Sequence, residues 1–118
     1  MEHMMKLQPD YYNFILNGTK RIELRLYDEK RQLINLGDKI KFVKEPDFGE
    51  SFDAKVIGLL RYDSFIELFK DFDISVLADK SMSKKELLAV LEQFYTKEEQ
   101  KQYGILGIRI EIINQKKS

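Results

Sequence analysis

The spacing of apolar residues along this chain changes twice. In "RIELRLY", Arg21 to Tyr27, apolar and polar positions alternate, and in "ILGIRIEII" Leu106, Ile108, Ile110 and Ile112 alternate against Arg109 and Glu111. A period of two belongs to a strand with unlike faces. Between these segments about forty residues carry helical spacing instead. The helical block opens with "SFIELFKDF", where Ser64 precedes Glu67 by three residues and Phe65, Leu68, Phe69 and Phe72 share a face. "SKKELLAVLEQFY" repeats the device with Ser83 and Glu86 ahead of Leu87, Leu88, Leu91, Phe94 and Tyr95, and "TKEEQKQYG" repeats it with Thr96 and Glu99. Each pair has the spacing of a capping box, in which a hydroxyl and a carboxylate satisfy the first free N–H groups of a helix.

The rest of the order follows from stop signals. "PDYYNFILNG" reads as a first helix, with Pro9 in its opening turn and Asn17-Gly18 ending it. A strand from about Thr19 to Tyr27 follows, then a tether through Leu33, Ile34 and Leu36, a Gly37-Asp38 turn, and a second strand in which Ile40 and Phe42 alternate with Lys39 and Lys41. "FDAKVIGLLRY" reads as a third strand, bent or bulged at Gly58. "NQKKS" is a polar tail. The fold class is α+β: a small β-barrel with an N-terminal helix and a helical insertion before the last strand, in one domain over 1–118 with its core at about 7–113.

Composition narrows the chemistry. Lys and Arg number 20, as do Asp and Glu, so the chain lacks the basic excess of proteins that track long nucleic acid through its phosphates. Any such partner must be met at a local patch or small site. There is no cysteine, which excludes disulfides and thiolate chemistry, and the one histidine, His3, lies in an N-terminal stretch expected to fray. One histidine cannot supply the usual zinc sets or a serine–histidine–acid triad. No metal and no cofactor are expected. No apolar run approaches the ~18 residues of a membrane span, and no signal peptide is evident, so the bacterial cytoplasm is the default location.

The charged row on the first strand is the candidate site. Alternation sends Ile22, Leu24 and Leu26 toward the core and Arg21, Glu23, Arg25 and Tyr27 to the opposite face. The plain interpretation is a solvated face with weak surface ion pairs; the other is a cleft wall roofed by the helical insertion. In a cleft, Arg25 offers a planar fork for a phosphate or base edge, and Tyr27 a ring for stacking. Lys20 is a phosphate contact or, desolvated, a base or nucleophile; Glu23 accepts from an exocyclic amine or activates water. Arg31, in the turn "YDEKR", can reach the same cleft, and Arg61 and Tyr62 are weaker rim candidates.

"NGTKRIELRLYDEKR", "LGDKIKF", the helical insertion and "YGILGIRIEI" together resemble the ASCH superfamily, small PUA-like barrels with a Gly-x-Lys-x-x-Glu-x-Arg strand after the first helix. Here Gly18, Lys20, Glu23 and Arg25 carry that signature. The resemblance implies a cleft between barrel and helices that binds RNA or a nucleotide-like small molecule, with Lys20, Glu23, Arg25, Tyr27 and Arg31 as contacts. One branch, the N4-acetylcytidine amidohydrolases, uses a lysine matched by Lys20. Its threonine is replaced here by Glu23, and its glutamate falls near Asp79-Lys80-Ser81, where no glutamate stands. Another branch, of metal-independent ribonucleases, also relies on a barrel lysine. The resemblance leaves turnover open: an enzyme of this kind would be a metal-independent hydrolase using Lys20 and Glu23. Nothing in the pattern forbids a homodimer.

Overall fold

The alternating segments form the strands of one sheet, and the helical block packs on one side of it. The computed structural model describes residues 1–113; the expectation of a polar tail at 114–118 lies outside them. In chain order the elements are β1 (Glu2–Leu7), α1 (Pro9–Leu16), β2 (Ile22–Leu26), a 3-10 turn (Arg31–Leu33), β3 (Lys39–Lys44) and β4 (Ser51–Tyr62). There follow α2 (Phe65–Phe69), α3 (Ile74–Leu77), α4 (Lys84–Phe94), α5 (Lys97–Tyr103) and β5 (Ile105–Ile112). The sheet order is β1-β3-β4-β5-β2, antiparallel except for the parallel β1–β3 pair. The bulge expected at Gly58 is present as a register shift between Val56 and Gly58.

Capping chemistry behaves as its spacing predicts at α4 and α5, where Ser83–Glu86 and Thr96–Glu99 form reciprocal boxes. At α2 only half the box forms: the Ser64 hydroxyl accepts from the Glu67 N–H, while the Glu67 carboxylate pairs with Lys70 at 3.0 Å. The short α3 was not legible, because Asp73 caps it within a stretch too short to show a period. Gly104 ends α5 at φ +72° and ψ −178°, and its missing Cβ would lie 3.1 Å from the Tyr62 carbonyl oxygen. That backbone region is essentially closed to side-chain-bearing residues, so glycine sets the turn into β5.

Two apolar clusters share the sheet. Inside its curl, Met5, Leu7, Tyr12, Ile15, Ile40, Phe42, Phe52, Val56, Leu106 and Ile108 pack together. On the outer side, Ile22, Leu24, Leu26 and Ile105 meet Phe65, Leu68, Leu77, Leu87 and Leu91 of the insertion. Each fully buried side chain of this size contributes roughly 1.5–3 kcal/mol. The aliphatic row of β2 is therefore buried as expected, but beneath the helices. The charged row looks into the mouth of the curl, which reverses the expected sides, because alternation reports which residues share a face and not where that face points.

The N-terminal stretch corrects a second expectation. It is ordered as β1 and adds a parallel edge strand alongside β3. A carboxylate secures it: Asp38 Oδ2 lies 2.8 Å from His3 Nε2 and accepts from the Asn35 N–H at 2.9 Å. The strand-like pattern "EHMMKL" was missed because only Met5 and Leu7 of β1 are buried. The His3 contact, then the Asn35 N–H, hold the Asp38 carboxyl down at about 2 from the ordinary 3.8. A carboxyl lowered on folding adds stability above its ordinary pKa, and that contribution disappears as pH falls through the folded value. Urea unfolding should thus show stability falling between about pH 4 and pH 2, and Asp38→Asn should flatten that part of the profile; an unchanged slope in the variant would show that Asp38 is not linked to folding.

Candidate functional site

Lys20 reaches its position because the chain turns back after α1. Gly18, at φ +87°, follows the helix, the Lys20 N–H donates to the Phe14 carbonyl at 2.9 Å, and the Arg21 N–H donates to Val76 at 2.8 Å. The side chain is thereby folded under the insertion. Its Nζ donates to the carbonyls of Ile22 at 2.7 Å and Leu77 at 2.6 Å, and lies 3.6 Å from Glu23 Oε1. Arg25 Nε donates to Glu23 Oε2 at 2.7 Å, and its Nη2 donates to the Lys6 carbonyl at 2.9 Å. Lys20 and Glu23 are 3% and 5% exposed, so this is no surface ion pair. The three heads converge.

They lie in a cleft of about 280 Å³. One side is the end of β1 and the start of α1, with Lys6, Leu7, Gln8 and Tyr11; the floor is Lys20 and the β2 residues Glu23, Leu24 and Arg25. Glu45 stands at the rim, and Leu87, Val90, Leu91, Phe94 and Tyr95 form the opposite wall. The insertion does contribute a wall to the charged face, as expected, through the C-terminal half of α4. Lys20 Nζ sits 6.0 Å from the centre of the Tyr11 ring.

The electrostatics follow from burial and counting. Burial pushes the Glu23 carboxyl up, but the charges of Arg25 and Lys20 outweigh it and hold the group below the usual carboxylate range. Burial lowers the Lys20 ammonium; Glu23 restores it only in part, and the Arg25 charge lowers it further. Burial raises the Tyr95 phenol, against the pull of Arg25 beside it. Inside the cleft two cations, Lys20 and Arg25, share the buried carboxylate of Glu23, and Glu45 stands half-buried at the rim. The exposed Lys6 contributes its main chain, its ammonium lying 5.3 Å from the centre of the Phe48 ring. Among the buried groups, then, two cations meet one carboxylate.

The other sequence candidates stand elsewhere. Tyr27 packs against the core of the curl with the Arg61 guanidinium 3.8 Å from its ring centre, so that face is occupied. Arg31 Nη1 pairs with Asp28 at 2.9 Å, and its Nε is buried with no partner among the described residues. Neither lines the cleft. Arg61 and Tyr62 line a separate open groove beside α5, and Tyr62 donates to Asp71 at 2.6 Å. Asp79 is turned toward Ser81, whose N–H it accepts at 3.0 Å. Tyr95, Tyr11, Lys6 and Gln8 were not anticipated: the tyrosines hide in apolar stripes, and the other two depend on β1.

A curled mixed sheet with helices on its outer side and a buried lysine–carboxylate–arginine cleft at its mouth defines an α+β protein of the PUA-like class. The family model of the ASCH domain matches residues 5–114, and the chain belongs to that RNA-binding-like family. Among solved structures, the chain is similar to the hypothetical protein PH0355 at 40% identity and TM-score 0.84, covering 96% of this chain and all of that one. It is similar to protein PF0455 from Pyrococcus furiosus at 34% identity and TM-score 0.78, covering 98% of this chain and all of that one. A variant of ZmASCH from Zymomonas mobilis, at 14% identity and TM-score 0.67 over 96% of this chain and 73% of that one, shares the fold. No curated protein matches the chain.

Removing the ammonium while keeping its stem should expose how much the triad supports. Lys20→Met leaves the Ile22 and Leu77 carbonyls unpaired and deprives Glu23 of one cation, and should cost about 2–4 kcal/mol. Adding Glu23→Gln should recover part of the loss. Denaturant unfolding of Lys20→Met, Glu23→Gln and the double variant checks this, and strictly additive effects would mean that Lys20 and Glu23 do not interact.

Proposed function

We propose that the Lys20–Glu23–Arg25 cleft binds a nucleotide-like ligand, taken as a free nucleotide or as an unpaired residue of RNA. The observation that carries this reading is the single buried carboxylate shared by two cations opposite an apolar wall. Two buried cations on one carboxylate suit a phosphate, and Arg25 has donors left beyond those given to Glu23 and Lys6. The wall of Leu87, Val90, Leu91 and Phe94 suits a ring. The volume is near the lower end of small-molecule sites at roughly 300 Å³, which favours one nucleoside over a helix of nucleic acid. The balanced charge of the whole chain and the family's RNA-binding-like character support the same partner.

Isothermal titration with nucleosides, their 5′-monophosphates and short single-stranded RNAs tests it. Monophosphates should bind the wild type and lose roughly ten- to hundred-fold in affinity in Arg25→Gln, the worth of one charge-assisted hydrogen bond. Circular dichroism on the same samples separates this from unfolding, and equal affinity in folded wild type and variant removes Arg25 from the site.

A second reading makes the protein a hydrolase of acylated nucleosides, with Lys20 as nucleophile or base and Glu23 activating water. The pKa lowering of Lys20 by burial, beside a carboxylate in a cleft, favours it. Against it, Nζ already donates to two carbonyls and faces a carboxylate, which together use the three protons of an ammonium. Chromatography after incubation with N4-acetylcytidine separates the readings. A hydrolase should release cytidine from wild type and not from Lys20→Ala; product undiminished in the variant excludes the lysine chemistry.

A further inference from the structure

Strands β1 and β2 are the two edges of the sheet, and the cleft lies where they approach each other. On β2 the hydrogen bonds to β5 fall on odd-numbered residues. The Arg21 carbonyl accepts from Ile110 at 3.2 Å and the Tyr27 N–H donates to Gly104 at 3.0 Å, with an unbroken register of Glu23 against Ile108 and Arg25 against Leu106 between them. Main-chain groups in an antiparallel pair alternate in direction, so Ile22, Leu24 and Leu26 present theirs to the other edge. The Ile22 carbonyl there is taken by Lys20 Nζ. The N–H and C=O of Leu24 have no partner among the described residues, although Leu24 is 3% exposed and lines the cleft. Across the seam the Lys6 carbonyl is taken by the Arg25 guanidinium, so a side chain stands where a neighbouring strand would bond.

Buried main-chain groups without partners are rare, and both groups of one residue left so, in a cleft, call for an occupant. The N–H and C=O of an extended residue point the same way, side by side. Their complement is a flat edge with an acceptor next to a donor. Another strand has such an edge, but Arg25 crosses the seam one residue on and Lys20 fills the edge two residues back, leaving room for a single residue's worth of bonding. A nucleobase edge fits that space. We propose that the main-chain N–H and C=O of Leu24 read the donor–acceptor edge of the base, while Arg25 takes the phosphate or sugar side. This rests on the nucleotide-binding reading above and adds what selects the base.

Proton–nitrogen correlation spectra of the full chain test it, with the 5′-monophosphates of cytidine, uridine, adenosine and guanosine as probes and ribose 5-phosphate as the baseless control. In the free protein the Leu24 amide should exchange with solvent at least about tenfold faster than those of Glu23 and Arg25, which are held in the ladder. At least one nucleotide should move the Leu24 amide proton downfield, saturating in step with the Arg25 Nε resonance, and ribose 5-phosphate should shift Arg25 alone. Nucleotides that titrate Arg25 and leave Leu24 unmoved overturn the inference and spare the binding reading. Probes that move neither resonance overturn both.

Discussion

The buried group of Lys20, Glu23 and Arg25 holds together parts of the fold that no backbone ladder connects. Lys20 ties the Leu77 carbonyl of the insertion to β2, and Arg25 ties β2 to the Lys6 carbonyl of β1. Glu23 joins the two cations. The sheet thus curls until its edges are within reach of a side chain and stops there. Burying three charges is a poor way to gain stability, since desolvation takes back most of what attraction returns. The apolar clusters on the two sides of the sheet carry the fold. Retaining an ionic junction between them makes sense where the junction itself is used.

Strand β1 shows what this arrangement demands. It is short, it is parallel to its one ladder neighbour, and only two of its side chains are buried, so packing alone gives it little hold. Ion chemistry secures both ends. His3 meets Asp38 at the start, and Arg25 holds the Lys6 carbonyl near the finish. The two carboxylates do different work. Asp38 also accepts a main-chain N–H and is half of a local turn, whereas Glu23 is surrounded by cations and has no main-chain donor among the described residues. One fixes a strand, and the other sets the charge of a cleft.

Local chemistry was legible in the sequence and long-range placement was not. Both full capping boxes, the stop after α1, the bulge at Gly58 and the last strand follow from residues within a few positions of each other. The grouping of Lys20, Glu23 and Arg25 followed from the strand period and the family signature together. The sides of β2 did not, because a period of two is unchanged when a strand is turned over. Tyr27 shares its face with Glu23 and Arg25 yet is covered by Arg61, a residue 34 positions later whose approach depends on the pairing of β4 with β5 and of β5 with β2. Tyr95 was counted in an apolar stripe, where its hydroxyl gives no sign that it will stand beside Arg25.

The parts of the cleft are separable in a way that matters for what it can recognise. Its charges come from β2 and are tied into the junction, so altering them disturbs the fold. Its donor–acceptor edge is main chain, which substitution of the side chain leaves in place. Its far wall belongs to α4, where Val90 is only partly buried and Phe94 is 53% exposed. Side chains at those two positions can change size with little loss of core packing, because the helix is anchored through Leu87 and Leu91. For the proposed ligand, such a cleft keeps its polar contacts constant and varies its shape through one helix. On the proposed reading, the junction selects a planar, phosphate-bearing ligand, and α4 sets how large it can be.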